Sequence, residues 1–319
     1  MPNESDNDFG TLREQARVAW LYFTGGLTQK EIADQLGITR LKVNQIIGAV
    51  RADGSVRIDV DLPLIDCVQL EEALKEKFGL SDAVVVPTVG DLSEQQRTIG
   101  EAGGTMVNAL IGGRDLGIGI GWGHTLSFAT RRLTARASPN SWVVSLTGGF
   151  TRASGSNTFE IATSVARALN VECHYITAPI YCSSTESRET LLHNDEIADV
   201  LARTEIAEVA LISCGDLSAR SQIASLRIVK DNIDDLLRLG AVGEVLGCIL
   251  AADGRPVEHF LNDSIMAMSL EALKLKPISV LVAGGIHKAP IIYAALRGKY
   301  VNRLVTDELV ARILLERAP

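Results

Sequence analysis

The residues best suited to chemistry are Arg40, Leu41, Lys42, Asn44 and Gln45, within TRLKVNQIIGAV. At 100° per residue, Leu41, Asn44 and Gln45, with Lys42 beside them, lie opposite Val43, Ile46, Ile47 and Val50. Those four have the i, i+3, i+4, i+7 spacing of a buried helical stripe. Asn and Gln side chains read adenine edges, and an exposed Leu41 can meet a thymine methyl. Arg40 in the first turn can reach a phosphate. The preceding TQKEIADQLGI predicts a shorter helix, with Thr28 and Glu31 forming a capping box. Ile32, Ala33 and Leu36 share one face of it, and Gly37 ends it. Two helices joined by a short glycine turn predict a helix-turn-helix, which holds its second helix out for the major groove of double-stranded DNA. Candidate DNA contacts are Thr28, Gln29, Thr39, Arg40, Leu41, Lys42, Asn44 and Gln45. The plain alternative is a two-helix corner without a DNA role.

Charge distribution separates these readings. The chain has 31 Lys and Arg against 39 Asp and Glu, a net −8 that does not suit a nucleic-acid binder as a whole. Residues 12–57 nevertheless carry a local +3, while residues 1–11 carry −3 and residues 58–319 carry −8. The basic surplus coincides with the helix-turn-helix, which predicts a DNA-reading head on an acidic body. A +3 head is weak alone, so two or more heads on one DNA are expected.

Around this motif, Leu12, Ala16, Ala19, Trp20 and Phe23 predict a first helix with an apolar covering face. The alternation in RADGSVRIDVDL (51–62) predicts a hairpin or wing that Pro63 closes. Residues 1–10 read as a disordered acidic tail, residues 11–63 as the DNA-binding domain, and residues 64–319 as the effector and oligomerisation domain. Residues 66–78 predict a linking helix. From residue 82 onward, apolar strand-like runs (83–87, 115–121, 142–148, 173–179, 209–215, 245–251, 279–285) alternate with helical ones (94–111, 124–136, 157–169, 187–202, 231–239, 288–298). This alternation predicts an α/β body with a doubly wound, mostly parallel sheet.

Ligands of such sheets bind beyond the carboxyl ends of the strands. Three glycine-rich strand ends run toward helices there. In GIGIGWGHT, Gly121 and Gly123 precede His124 and Thr125, an arrangement suited to an anion. In LTGG, Gly148 and Gly149 precede Asn157 and Thr158. In VAGGIHK, Lys288 follows a glycine pair at a helix start, where a cation opposes the dipole and so implies a ligand. Glu244 can accept hydrogen bonds from sugar hydroxyls. No metal is expected, because the five histidines have no ligand spacing. Neither a catalytic residue nor a cofactor is expected, in the absence of a GxSxG elbow or Walker A loop. Five scattered cysteines without CxxC spacing, no signal peptide and no membrane-length apolar run lead us to expect a cytoplasmic protein without membrane contact.

Six blocks, in order and spacing, resemble the SorC family of sugar-binding transcriptional regulators, also grouped with deoxyribonucleoside and central glycolytic gene regulators. The blocks are LTQKEIADQLGITRLKVNQII, GIGWGHTL, SLTGGFTR, TAP with SRETLL, RLGAVGEVLG, and VAGGIHKAPIIYAALRGKYVNRLVTDELVARILL. The polyol-type members, such as the regulators of erythritol operons, look most similar. The resemblance implies a winged helix-turn-helix and a body folded like ribose-5-phosphate isomerase and glucosamine-6-phosphate deaminase. It also implies a homotetramer or dimer whose operator binding is controlled by a sugar, polyol or sugar phosphate effector. The family's phosphate-cradling loop falls on the glycine turn with His124 and Thr125. Its effector contacts fall on Asn157, Thr158, Glu244 and Lys288. His124 departs from the small hydroxyl residue of some phosphosugar-sensing members, which keeps an unphosphorylated polyol open. The rival reading is a sugar-phosphate isomerase or deaminase; a head used only for protein contacts is a third.

Overall fold

The computed structural model describes residues 4–52, 55–56, 64–134, 137–150 and 156–317, with side chains from residue 11 onward apart from residue 52. Two compact units divide the chain, Met1–Pro63 and Leu64–Pro319.

The first unit contains α1 (Glu4–Phe23), α2 (Gln29–Leu36) and α3 (Arg40–Ala52). The capping box forms at the start of α2. Thr28 Oγ1 accepts from the Glu31 N–H, and a Glu31 carboxylate oxygen accepts from the Thr28 N–H at 2.8 Å. Gly37 takes the left-handed φ of 65° that stops this helix. Thr39 Oγ1 accepts from the Lys42 N–H and opens α3. Ile32, Ala33, Val43, Ile46, Ile47 and Val50 are buried together with Val18 and Leu21 of α1.

Two expectations for α1 are corrected. Its covering face centres on Val18 and Leu21, leaving Leu12 58% and Trp20 60% exposed. The apolar residues of α1 run nearly all round from 16 to 23, so α2 and α3, not α1's own pattern, select the face. The helix also begins at Glu4, inside the stretch read as a disordered tail. The wing read at 51–62 lies largely outside the described residues.

The second unit begins with α4 (Ile65–Phe78), β1 (Asp82–Val86), α5 (Leu92–Ile111), β2 (Gly117–Ile120), α6 (His124–Ala129), β3 (Trp142–Ser145), α7 (Thr158–Leu169) and β4 (Glu172–His174). It continues with α8 (Thr185–Leu192), α9 (Asp195–Ile206), β5 (Val209–Ile212), β6 (Cys214–Gly215), α10 (Arg227–Lys230), α11 (Ile233–Arg238), β7 (Ala241–Val245) and β8 (Cys248–Ala251). The chain closes with α12 (Phe260–Asp263), α13 (Leu270–Lys274), β9 (Ile278–Val282), α14 (Ala289–Arg297), β10 (Arg303–Asp307) and α15 (Glu308–Glu316).

Seven strands form one sheet in the order β1-β10-β9-β5-β2-β3-β4, and every pairing in it is parallel. Side chains alternate between its faces. Ala210, Ile212, Leu281 and Ala283 join the core under α4, α14 and α15, whereas Val209, Leu211, Val280 and Val282 join the core under α5 and α7. Both faces are therefore covered, which is why the strands read as unbroken apolar runs.

Residues 245–251, read as one more strand of this sheet, do something else. They make the turn and second arm of an antiparallel hairpin, β7–β8, that joins β6 in a separate three-stranded sheet. Leu246 and Gly247 both have positive φ, 52° and 82°, the signature of a tight two-residue hairpin turn. The helix expected over 187–202 is likewise two helices. Asn194 breaks it, its side chain accepting from the Ile197 N–H to cap α9.

Candidate functional site

The strand order reverses direction between β2 and β5: β3 and β4 lie on one side, β9 and β10 on the other. A crevice opens at such a switch point, outside the carboxyl ends of the strands. Here it is a cavity of about 580 Å³, solvent at its mouth included.

Each wall of the cavity follows a different strand. Trp122, Gly123 and His124 follow β2; Ser213 to Asp216 and then Arg220 to Gln222 follow β5. Glu244 comes from β7, His287 and Lys288 follow β9, and Leu92 and Gln96 come from α5. Gly123 has φ 119°, a conformation that side chains with a Cβ rarely adopt, and its N–H is bonded to Ser156 O at 2.9 Å. That bond fixes the loop so that α6 starts at the cavity, where first-turn N–H groups lack intrahelical acceptors.

Among the expected effector contacts, Gly123, His124, Glu244 and Lys288 are brought together here. Six others are placed elsewhere among the described residues. The Gly121 N–H is bonded to Leu211 O, and Thr125 is buried at 2% exposure. Gly148 and Gly149 donate to Met266 O and Ala178 O. A Cβ on Gly148 would stand 2.5 Å from Ala178 O, so close backbone approach accounts for that glycine. Asn157 uses its side chain on both polar groups of the Phe150 backbone, and Thr158 Oγ1 donates toward the Ile120 and Gly121 carbonyls. Gly121, Gly148, Gly149, Asn157 and Thr158 thus tie loops and strand ends to their neighbours, and Thr125 is packed in the interior.

The sequence reading missed Asp216, Arg220, His287 and Gln96. It gathered glycine-rich strand ends that run into helices, whereas SCGDLSARSQ leaves β5 into a loop. An Asp and an Arg four residues apart after a parallel strand were the available signal.

Two basic side chains, two imidazoles and two carboxyl groups line the cavity. Lys288, Arg220, His124 and His287 face a space shared with Asp216 and Glu244. Glu244 is 1% exposed, and burial pushes its carboxyl up to about 7. Hydrogen bonds from the Gly247 and Gly215 backbone and the Lys288 charge pull the other way. Desolvation holds the His287 imidazole below its usual value, opposed by Asp216. Burial raises the Cys214 thiol to about 12, which leaves it protonated and unreactive. Among the described residues, no group of His, Cys, Asp and Glu could hold a metal ion.

In the first unit, the outer face of α3 presents Arg40, Leu41, Lys42, Asn44 and Gln45, all exposed, with Leu41 at 67%. Thr28 and Thr39 are occupied as caps. Two polar groups of the face are already paired: Lys42 with Glu14 of α1 at 2.7 Å, and Asn44 with Gln29 of α2 at 3.2 Å.

Comparison with known proteins agrees with this geometry. The family model described as "Putative sugar-binding domain" matches residues 62–316. The erythritol catabolism regulatory protein EryD of Brucella abortus is 30% identical over 302 residues, 94% of this chain and 95% of its own. The transcriptional regulator LsrR of Klebsiella pneumoniae is 34% identical over 308 residues, covering 95% of this chain and 93% of its own. The full-length sorbitol operon regulator SorC from Klebsiella pneumoniae shares the fold at a TM-score of 0.74 and 25% identity, over 96% of this chain and 100% of that one. These relatives are named as regulators, and this chain is a transcriptional regulator, not an isomerase or a deaminase. On the span of these matches, the chain belongs to the SorC family of sugar-binding transcriptional regulators.

Proposed function

We propose that α3 reads operator DNA and that a polyhydroxylated ligand carrying an anionic group, a sugar or polyol phosphate, controls that reading from the cavity. The observation that carries this is the mixed lining: Lys288 and Arg220 to balance a phosphate, Asp216 and Glu244 to accept hydroxyl hydrogen bonds. His124, which lines the same cavity, donates to that anion. The erythritol and sorbitol regulators among the relatives point to carbohydrate effectors. Effector and DNA affinities are then linked by one coupling energy, typically about 1–3 kcal/mol.

The body assembles the heads into a dimer or tetramer in the cytoplasm, since a local +3 gives one head little affinity. Thermal shifts of the full-length protein with free polyols, their phosphates and inorganic phosphate test the ligand. At a hundredfold excess over Kd, the phosphorylated compound is expected to stabilise by about 2.7 kcal/mol. Stabilisation by the free polyols alone would overturn the anionic assignment.

A further inference from the structure

The exposed face of α3 is bordered by a different helix on each flank. At 100° per residue, Lys42 and Asn44 lie about 160° apart around α3, on either side of Leu41 and Gln45. Lys42 is paired with Glu14 of α1 at 2.7 Å, and Asn44 is bonded to Gln29 of α2 at 3.2 Å. One border is therefore the middle of α1, and the other is the start of α2.

Both borders carry cations that the head does not use. Lys30 and Arg40 line a cleft on the α2 side with Thr28 and Gln29. Arg13 and Arg17 line a second cleft on the α1 side with Glu14 and Leu36. Among the described residues, the side chains of these four cations make no hydrogen bond, ion pair or ring contact. Arg13 and Arg17 are exposed and stand one turn apart on α1, about 6 Å along its axis. With Lys42 paired to Glu14, the surplus positive charge of this cleft comes from Arg13 and Arg17. A helix with its side chains is about 10–12 Å across, and the major groove is about 12 Å wide. A helix lying in that groove thus has a phosphate backbone along each side, and each cleft of the head stands beside one of them. A guanidinium suits such a place, because its planar fork takes two phosphate oxygens at once.

We infer that Arg13 and Arg17 make α1 a second phosphate-binding surface. They hold the strand opposite the one met by Lys30 and Arg40, so that the head binds both backbones of one major groove. This rests on the DNA-reading role proposed for α3. The contact carries no base preference, since phosphates are alike at every base pair.

The test uses the full-length protein and a duplex that the wild type selects from a pool with a randomised core. Wild type, R13A/R17A, R13K/R17K and R40A are titrated between about 50 and about 200 mM salt. Losing two phosphate contacts lowers the slope of log affinity against log salt by about 1.8. The deficit of R13A/R17A is thus expected to shrink roughly twelvefold over that range, with base preference unchanged. R13K/R17K keeps both charges and is expected to keep the slope. Ethylation of single phosphates then maps the contacts. In the wild type it is expected to interfere on both strands of each half-site. R13A/R17A is expected to lose the interference on one strand, and R40A that on the other. Both arginines are exposed, so melting temperatures are expected to match the wild type. An unchanged slope in R13A/R17A, loss of interference on the same strand as R40A, or an unfolded head would overturn the inference. Failure of the wild type to select any duplex would instead remove the DNA-reading role, and this inference with it.

Discussion

The Glu244 carboxylate accepts a 2.6 Å hydrogen bond from the Gly247 N–H, and so ties the wall of the cavity to the turn between β7 and β8. The same turn holds Leu246 at φ 52°, a conformation that costs a non-glycine residue about 1–2 kcal/mol. One buried side chain therefore stabilises a strained turn and contributes a carboxyl to the ligand space.

That carboxyl makes stability depend on pH. Its pKa rises from 4.5 to about 7 on folding, so the folded chain holds its proton more tightly than the unfolded one. Its contribution to stability is full below pH 4.5 and is lost as pH rises through 7, a change on the order of 3 kcal/mol. In E244Q this slope is expected to vanish. Melting temperatures measured from pH 5 to 8 check it: the variant's Tm relative to wild type is expected to rise with pH.

Lys288 has no capping bond from its side chain at the start of α14. K288A is expected to shift global stability by no more than about 0.5 kcal/mol. Stabilisation by sugar phosphates is expected to disappear, with duplex binding unchanged. Loss of duplex binding as well would assign Lys288 a structural role.

Replacing Arg40 and replacing Gln45 are expected to separate phosphate contact from base reading. R40A weakens all duplexes alike and lowers the slope of log affinity against log salt by about one unit. Q45A relaxes preference at one base pair, by about 1–3 kcal/mol if its contact is bidentate. Titrations at several salt concentrations distinguish the two, and a changed base preference in R40A would show that α3 is misplaced.

Ile47 is 3% exposed in the small core of the head. I47A is expected to cost about 2–5 kcal/mol, most of the stability of a unit this small. Calorimetry of the full chain is expected to lose the head's transition and keep the body's, with the ligand-induced shift intact and duplex binding gone.

The legible parts of this chain are those where local chemistry and burial agree. The capping box at Thr28 and Glu31 and the stripe of Val43, Ile46, Ile47 and Val50 are local signals that packing leaves undisturbed. The parallel sheet was legible because burial on both faces forces unbroken apolar strands. The β7–β8 hairpin was not, since its turn places Leu246 at positive φ without an Asn-Gly or Asp-Gly pair to announce it. The face of α1 was misread because its apolar residues offer several stripes, and only the neighbouring helices choose among them. Within the cavity, glycine-rich turns identified Gly123, His124 and Lys288. Asp216 and Arg220 reach the same space from a loop whose course depends on the small antiparallel sheet, and no spacing rule encodes that.

The cavity's walls span Leu92 to Lys288, and β9 sits between β5 and β10 in the middle of the sheet. Ribosomal synthesis proceeds from the N-terminus, so the head is complete long before β9 leaves the ribosome. The pocket can form only after that central strand is inserted. A newly made molecule thus completes α3 early and the cavity last, and for that interval it lacks both the ligand space and the body that would gather several heads on one duplex.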